Sequence, residues 1–115
     1  MAYIDSTSFG SITINSKLYG NDIKVLASGK ILNRLGPKGS HTICLEEFNE
    51  ILGETKRPKT IIIGTGQGGV AKLESGVKAE LEKQNIKVIE APTQEAIKLF
   101  NKTKEPRAGL FHLTC

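Results

Sequence analysis

The sequence predicts an α/β fold: a three-layer single domain with a mixed central sheet, parallel βαβ units in its C-terminal half and an N-terminal antiparallel β meander. Three observations lead there. The first third alternates apolar and polar residues between turn pairs. After residue 59 the pattern becomes strand, helix, strand, helix, strand, which implies parallel pairing through crossovers. A continuous apolar run, Thr60 to Ile63, ends in the loop Gly64-Thr65-Gly66-Gln67-Gly68-Gly69, as a strand covered on both faces does when it gives way to a helix. The 115 residues form one domain, with residues 1–43 as meander and loop and residues 44–115 as a helix followed by β-α-β-α-β.

Within the meander, Phe9 to Ile14 alternates, Asn15-Ser16 and Gly20-Asn21 are turn pairs, Ile23 to Leu26 alternates again, and Ser28-Gly29 separates it from Ile31 to Leu35. Gly36-Pro37-Lys38-Gly39-Ser40 reads as a loop. Leu45, Phe48, Ile51 and Leu52 recur at helical spacing until Gly53, with Glu46, Glu47 and Glu50 on the wet face. A second helix is expected to carry Val70, Leu73, Val77 and Leu81 on one stripe, followed by a strand over Ile86 to Ile89. Thr93 is placed as the N-cap of a third helix, with Glu95 in its first turn against the helix dipole and Ala96, Ile97 and Phe100 inward. Pro106 closes that region and Ala108 to Leu113 forms the last strand.

Composition narrows the function. With 38% hydrophobic and 24% charged residues the chain is globular, and no apolar stretch approaches the roughly 20 residues of a membrane-spanning helix. The N-terminus has neither the basic start nor the apolar middle of a secretory signal, so the expected compartment is the cytoplasm. The net charge of +4 is dispersed, and two Tyr, four Phe and no Trp make no basic stripe interleaved with stacking rings, so nucleic acid is not an expected partner. Two cysteines in no C-x-x-C pair indicate a reducing compartment without a disulfide framework.

The glycine loop satisfies G-x-G-x-x-G at Gly64, Gly66 and Gly69, with Glu90 near the position of a ribose-binding acid. A dinucleotide cofactor is nevertheless not expected, because the small residue wanted four positions past the third glycine is Leu73 and too few strands follow. The plain reading is a turn whose glycines supply positive φ. An intermediate one makes the amides of Thr65 to Gly69 an anion cradle aided by Lys72. His41-x-x-Cys44 and His112-x-x-Cys115 share a spacing, but an odd offset along a strand sends side chains to opposite faces, and structural zinc is not favoured. Cys44 reads as a small buried hydrophobe, His41 as a capping or loop-fixing residue, and His112 as a hydrogen-bonded strand residue. Cys115 needs a neighbouring base or positive site to become a nucleophile.

Gly64-Thr65-Gly66, the later V-I-E-A-P-T-Q-E-A-I-K-L-F-N, the terminal F-H-L-T-C, the opening S-F-G-S-I-T-I and the Ser40-His41 step together resemble one family. It is the small single-domain family of unknown function typified by a methanogen protein, with the adipogenesis-associated domain protein and a mitochondrial complex I assembly factor as animal members. The resemblance covers essentially the whole chain and implies the same three-layer fold. It implies no reaction, cofactor or catalytic residue, and its animal members look like assembly or regulatory factors acting through protein contacts. His41, Gly64, Gly66, Thr93, Glu95, His112 and Cys115 match its pattern, whereas Gly69 and Cys44 fall outside it. The expectation is therefore a non-catalytic, assembly-factor-like domain that binds a partner protein at one end of the sheet, with His41, Gly64, Thr65, Gly66, Thr93, Glu95, His112 and Cys115 as the candidate binding residues. The alternative is a small anionic-ligand binder or enzyme using the glycine loop, with His41 or Glu95 handling protons.

Overall fold

The computed structural model describes residues 2–34 and 41–115, so the loop expected over Gly36 to Ser40 lies outside the described residues. In chain order the elements are β1 (Ile4–Ser8), β2 (Ser11–Ile14), β3 (Lys17–Tyr19), β4 (Ile23–Val25), β5 (Ile31–Asn33), β6 (Thr42–Ile43), a 3₁₀ turn (Leu45–Phe48) running into α1 (Asn49–Gly53), β7 (Thr60–Thr65), β8 (Lys72–Leu73), α2 (Val77–Lys83), β9 (Lys87–Ala91), α3 (Thr93–Lys102) and β10 (Arg107–His112). β1, β2 and β3 form an antiparallel sheet, and the central sheet has the order β5-β4-β10-β7-β9. β7 is parallel to both β10 and β9, and β4 joins β10 antiparallel, so the sheet is mixed.

β7 shows why its sequence is apolar without alternation. Ile62 faces a core built from the β1–β2 sheet and α3, with Ile4, Ile12, Ile14, Ala96 and Phe100. Ile61 and Ile63 face the other, with Phe48, Ile51, Val77 and Leu81. Both faces are covered, which is the three-layer arrangement. The N-terminal sheet is tied to α3 by a two-way bond in which Ile4 N donates to Asn101 Oδ1 at 2.9 Å and Asn101 Nδ2 donates to Ile4 O at 2.8 Å.

Four local expectations change. The strand partner of β2 is Ile4–Ser8, a segment too polar to show alternation, while Phe9 and Gly10 turn between the two. β4 and β5 leave the N-terminal sheet and extend the central one, because β4 is buried throughout and pairs with β10. The second helix begins only at Val77. Lys72 and Leu73 are instead drawn into a parallel pair with Thr42 and Ile43, so the stripe from Val70 to Leu81 spans a loop, a strand and a helix. The following strand is displaced by one residue at its start and two at its end, as Lys87–Ala91.

The two-faced burial of β7 makes Ile62 intolerant of truncation. Ile62→Ala should lower unfolding free energy by about 2–5 kcal/mol, read by chemical denaturation. A loss within about 0.5 kcal/mol, typical of surface changes, would contradict the packing described.

Candidate functional site

The carboxyl ends of β7 and β10 meet the start of α3, and most of the sequence-predicted residues gather here. Thr93 is the centre of the cluster. It is the first helical residue, with Pro92 in the cap position, and the amides of Glu95 and Ala96 turn to Pro92 O instead of to the threonine hydroxyl. That hydroxyl is buried between the strands: Oγ1 donates to His112 O at 2.5 Å and accepts from Gly66 N at 2.9 Å. Thr93 N also donates to Gly66 O at 2.9 Å. The expected N-cap is thus a strand-end clamp, because the side chain lies over the sheet and away from the first-turn amides. Gly64 makes the close approach possible; a Cβ there would stand 2.9 Å from Thr93 Oγ1 and from the Phe111 ring.

The loop amides are occupied by the chain itself. Gln67 N donates to Thr114 O at 2.6 Å, and Gly68 N and Val70 N both donate to Cys115 O at 3.1 Å. Gly66, at φ +102°, has no room for a Cβ, which would stand 2.3 Å from the Cys115 carbonyl carbon. Gln67 Nε2 reaches Thr7 Oγ1 and Ser8 O, both at 3.1 Å, and binds the N-terminal hairpin to the same point. No helix opens within this loop, since α2 starts eight residues past Gly69, at Val77. The helix-dipole phosphate site of a dinucleotide fold therefore has no counterpart here.

A buried polar network flanks the clamp. His112, 1% exposed, places Nδ1 2.6 Å from Asp22 Oδ2 and Nε2 3.2 Å from Thr114 Oγ1. Asp22 also accepts from Leu113 N at 2.8 Å and Arg34 Nη1 at 3.0 Å. Arg34 continues to Glu47 through Nε and Nη2, and Glu47 Oε2 accepts from Cys44 N at 2.8 Å. Burial alone would lower the Arg34 pKa, but the hydrogen bonds and charges of Glu47 and Asp22 outweigh it and hold the guanidinium above its ordinary value. Burial, reinforced by Glu47, Glu74 and Glu46, pushes the Cys44 thiol up and away from the reactive thiolate.

His41 stacks edge-to-face on His112, with ring centroids 5.6 Å apart. It opens a strand, its carbonyl accepting from Lys72 N at 2.8 Å, and so does not cap a helix. Thr65 is buried at the end of β7, and its carbonyl accepts from Ala71 N at 2.9 Å. Glu95 is exposed on the first turn of α3, outside the network, and Cys115 is exposed beyond it. Among the described residues no cluster of three or more His, Cys, Asp or Glu could hold a metal ion. Sequence reasoning missed Asp22, Arg34, Glu47 and Gln67. Apart from the local Glu47–Cys44 bond, the side-chain contacts that place them in the network span 12 to 91 positions, and no periodicity marks them.

The family model for proteins of unknown function DUF498/DUF598 matches residues 4–110. The chain belongs to this family. A conserved hypothetical protein of Pyrococcus horikoshii is 31% identical, with a TM-score of 0.83 over 97% of this chain and 98% of that one. The solved structure of MT938 is 28% identical at a TM-score of 0.80, with both chains covered in full. A protein of Bartonella henselae described as an outer membrane protein shares the fold at 21% identity and a TM-score of 0.81, over 99% of this chain and 96% of its own. No curated protein matches. Among the described residues no helix of this DUF498/DUF598 member is long and apolar enough to cross a membrane.

The clamp distinguishes a buried tie from a surface cap. Thr93→Val keeps the shape but leaves the Gly66 amide and the His112 carbonyl unpaired, so it should cost about 2–4 kcal/mol, where loss of a cap costs about 1 kcal/mol. A measured loss near the smaller figure in chemical denaturation would contradict the clamp.

Proposed function

We propose that this family member is a non-catalytic, cytoplasmic, assembly-factor-like domain that binds a partner protein at the strand-end surface. The observation that carries this reading is that the amides of Gln67, Gly68 and Val70 are already taken by Thr114 and Cys115, so a small anion would have to displace the chain's own backbone. This end also turns two large apolar side chains outward. Phe9 is 69% exposed and Val70 48% exposed. Both border the 113–115 segment, Phe9 through Gly10 N donating to Leu113 O at 2.8 Å and Val70 through its own amide. Exposed apolar groups rimmed by polar residues on a fixed frame suit protein recognition. The resemblance to assembly factors among animal proteins points the same way.

A second reading, a small-ligand binder or enzyme at the same end, is favoured by one observation. Thr114 Oγ1, His112 Nε2, His112 Nδ1 and Asp22 Oδ2 run in the order hydroxyl, imidazole, carboxylate that activates a nucleophile. Against it, the amides that would stabilise an oxyanion beside Thr114 are spent.

Capture from native lysate with the wild-type chain and with Phe9→Ser/Val70→Ser separates the two readings. The expected result is a protein retained by the wild type and lost from the double variant at unchanged melting temperature. Equal retention by both, or turnover that Thr114→Val abolishes, would overturn the partner-binding reading.

A further inference from the structure

At the opposite end of the central sheet, β4 and β10 part company. Their antiparallel register joins Val25 to Gly109, and the next rung of the same kind would set Ala27 against Arg107. The ladder stops short of it, and a cavity of about 140 Å³ lined by both residues lies there. That is room for a group of a few heavy atoms.

Arg107 is 7% exposed. Its guanidinium carbon lies 4.4 Å from the centroid of the Phe100 ring. Nη1 donates to Thr103 O at 2.9 Å and Nη2 to Ala2 O at 2.6 Å. Both acceptors are neutral. Among the described residues no carboxylate pairs with it; Glu105, two positions away, is engaged by Lys56 Nζ at 3.7 Å. A guanidinium has five N–H donors, so three have no acceptor among the described residues. Without a counter-ion, the burial of this cation is offset only in part by two neutral carbonyls and the Phe100 ring face.

A second donor lines the same cavity. Gly29 N donates to Leu26 O at 2.8 Å and Leu26 N to Lys30 O at 2.8 Å. Gly29 has φ +95° and Ser28 does not have positive φ. This is a type I turn followed by a left-handed residue, with Ala27 at its first central position. Because Leu26 N turns to the hairpin partner, Ala27 N–H turns to the β10 side, where it has no acceptor among the described residues. Ser28 contributes no further donor, since its amide and hydroxyl are held by Glu54 at 3.3 and 2.7 Å. Lys56 and Glu105, both partly exposed, offset each other at the cavity, and the unbalanced charge is that of Arg107.

We propose that this cavity binds a small oxyanion, a carboxylate or a phosphate group, through the guanidinium of Arg107 and the amide of Ala27, with Lys56 exchanging Glu105 for the ligand. The site is separate from the strand-end surface and independent of the partner-binding reading.

Titration of ¹⁵N-labelled protein with inorganic phosphate and with acetate, at constant ionic strength and with chloride as control, tests it at the Ala27 amide and the Arg107 Nε–H. The expected result is saturable shifts at both positions with a Kd of about 1 mM or below for at least one anion and none for chloride. Saturation by phosphate alone identifies a phosphoryl ligand, and by acetate alone a carboxylate. Ala27→Pro removes the amide at a turn position suited to proline's fixed φ, and should weaken binding about tenfold with the remaining spectrum intact. Should that variant fail to fold, Lys56→Gln must weaken binding at least threefold, an order-of-magnitude expectation for a partly exposed charge. Linear, unsaturated shifts with both anions, or wild-type affinity in the variants, would overturn the proposal.

Discussion

A parallel strand that ends inside a covered sheet leaves its last carbonyls and the next loop's amides in need of partners, because no water reaches them. Here a single threonine meets much of that demand. Thr93 is fully buried, and its hydroxyl donates to the His112 carbonyl of β10 while accepting from the Gly66 amide after β7. The start of α3 is thereby fixed to two strands at once. Residues 114 and 115 complete the closure by accepting from Gln67, Gly68 and Val70. The glycines of the loop follow from this closure. Gly64 admits the threonine, and Gly66, in the left-handed region, admits the 114–115 backbone at a distance that forbids any side chain.

The charged network extends the closure to the edge of the sheet. Asp22, just before β4, accepts from the backbone of Leu113 and from the side chains of His112 and Arg34. Arg34 then links the end of β5 to Glu47 in the 3₁₀ turn. A hairpin, a strand end and a helical turn are held by one arginine between two carboxylates. Such a network is costly to break one member at a time, since each deletion strands a buried charge. A rigid frame is also what a recognition surface needs, because ordering it on binding costs less.

Much of the architecture was legible in the sequence. The unbroken apolar run of β7 announced two covered faces, and α3 announced itself through Ala96, Ile97 and Phe100 at helical spacing. The failures have physical causes. Val70 and Leu73 match a helical stripe with Val77 and Leu81, but the two-stranded pairing of β6 with β8 claims Leu73, and Val70 donates to Cys115 O. Thr93 before an amphipathic run looks like a cap, and only burial under β10 reveals its other use. At the candidate site, Gly64, Gly66, Thr93 and His112 were visible through residue type and position. Asp22, Arg34 and Glu47 were not, because ion pairs between remote segments leave no periodicity in the chain.

The glycine loop is closed by the chain's own backbone and is not an open cradle. Amide hydrogen exchange of the isolated protein, resolved at Gln67, Gly68 and Val70, tests it most directly. The closed loop predicts protection at all three amides comparable to that of the β7 interior. Exchange at the rate of an unstructured loop would contradict it and return those amides to the role of a ligand-binding nest.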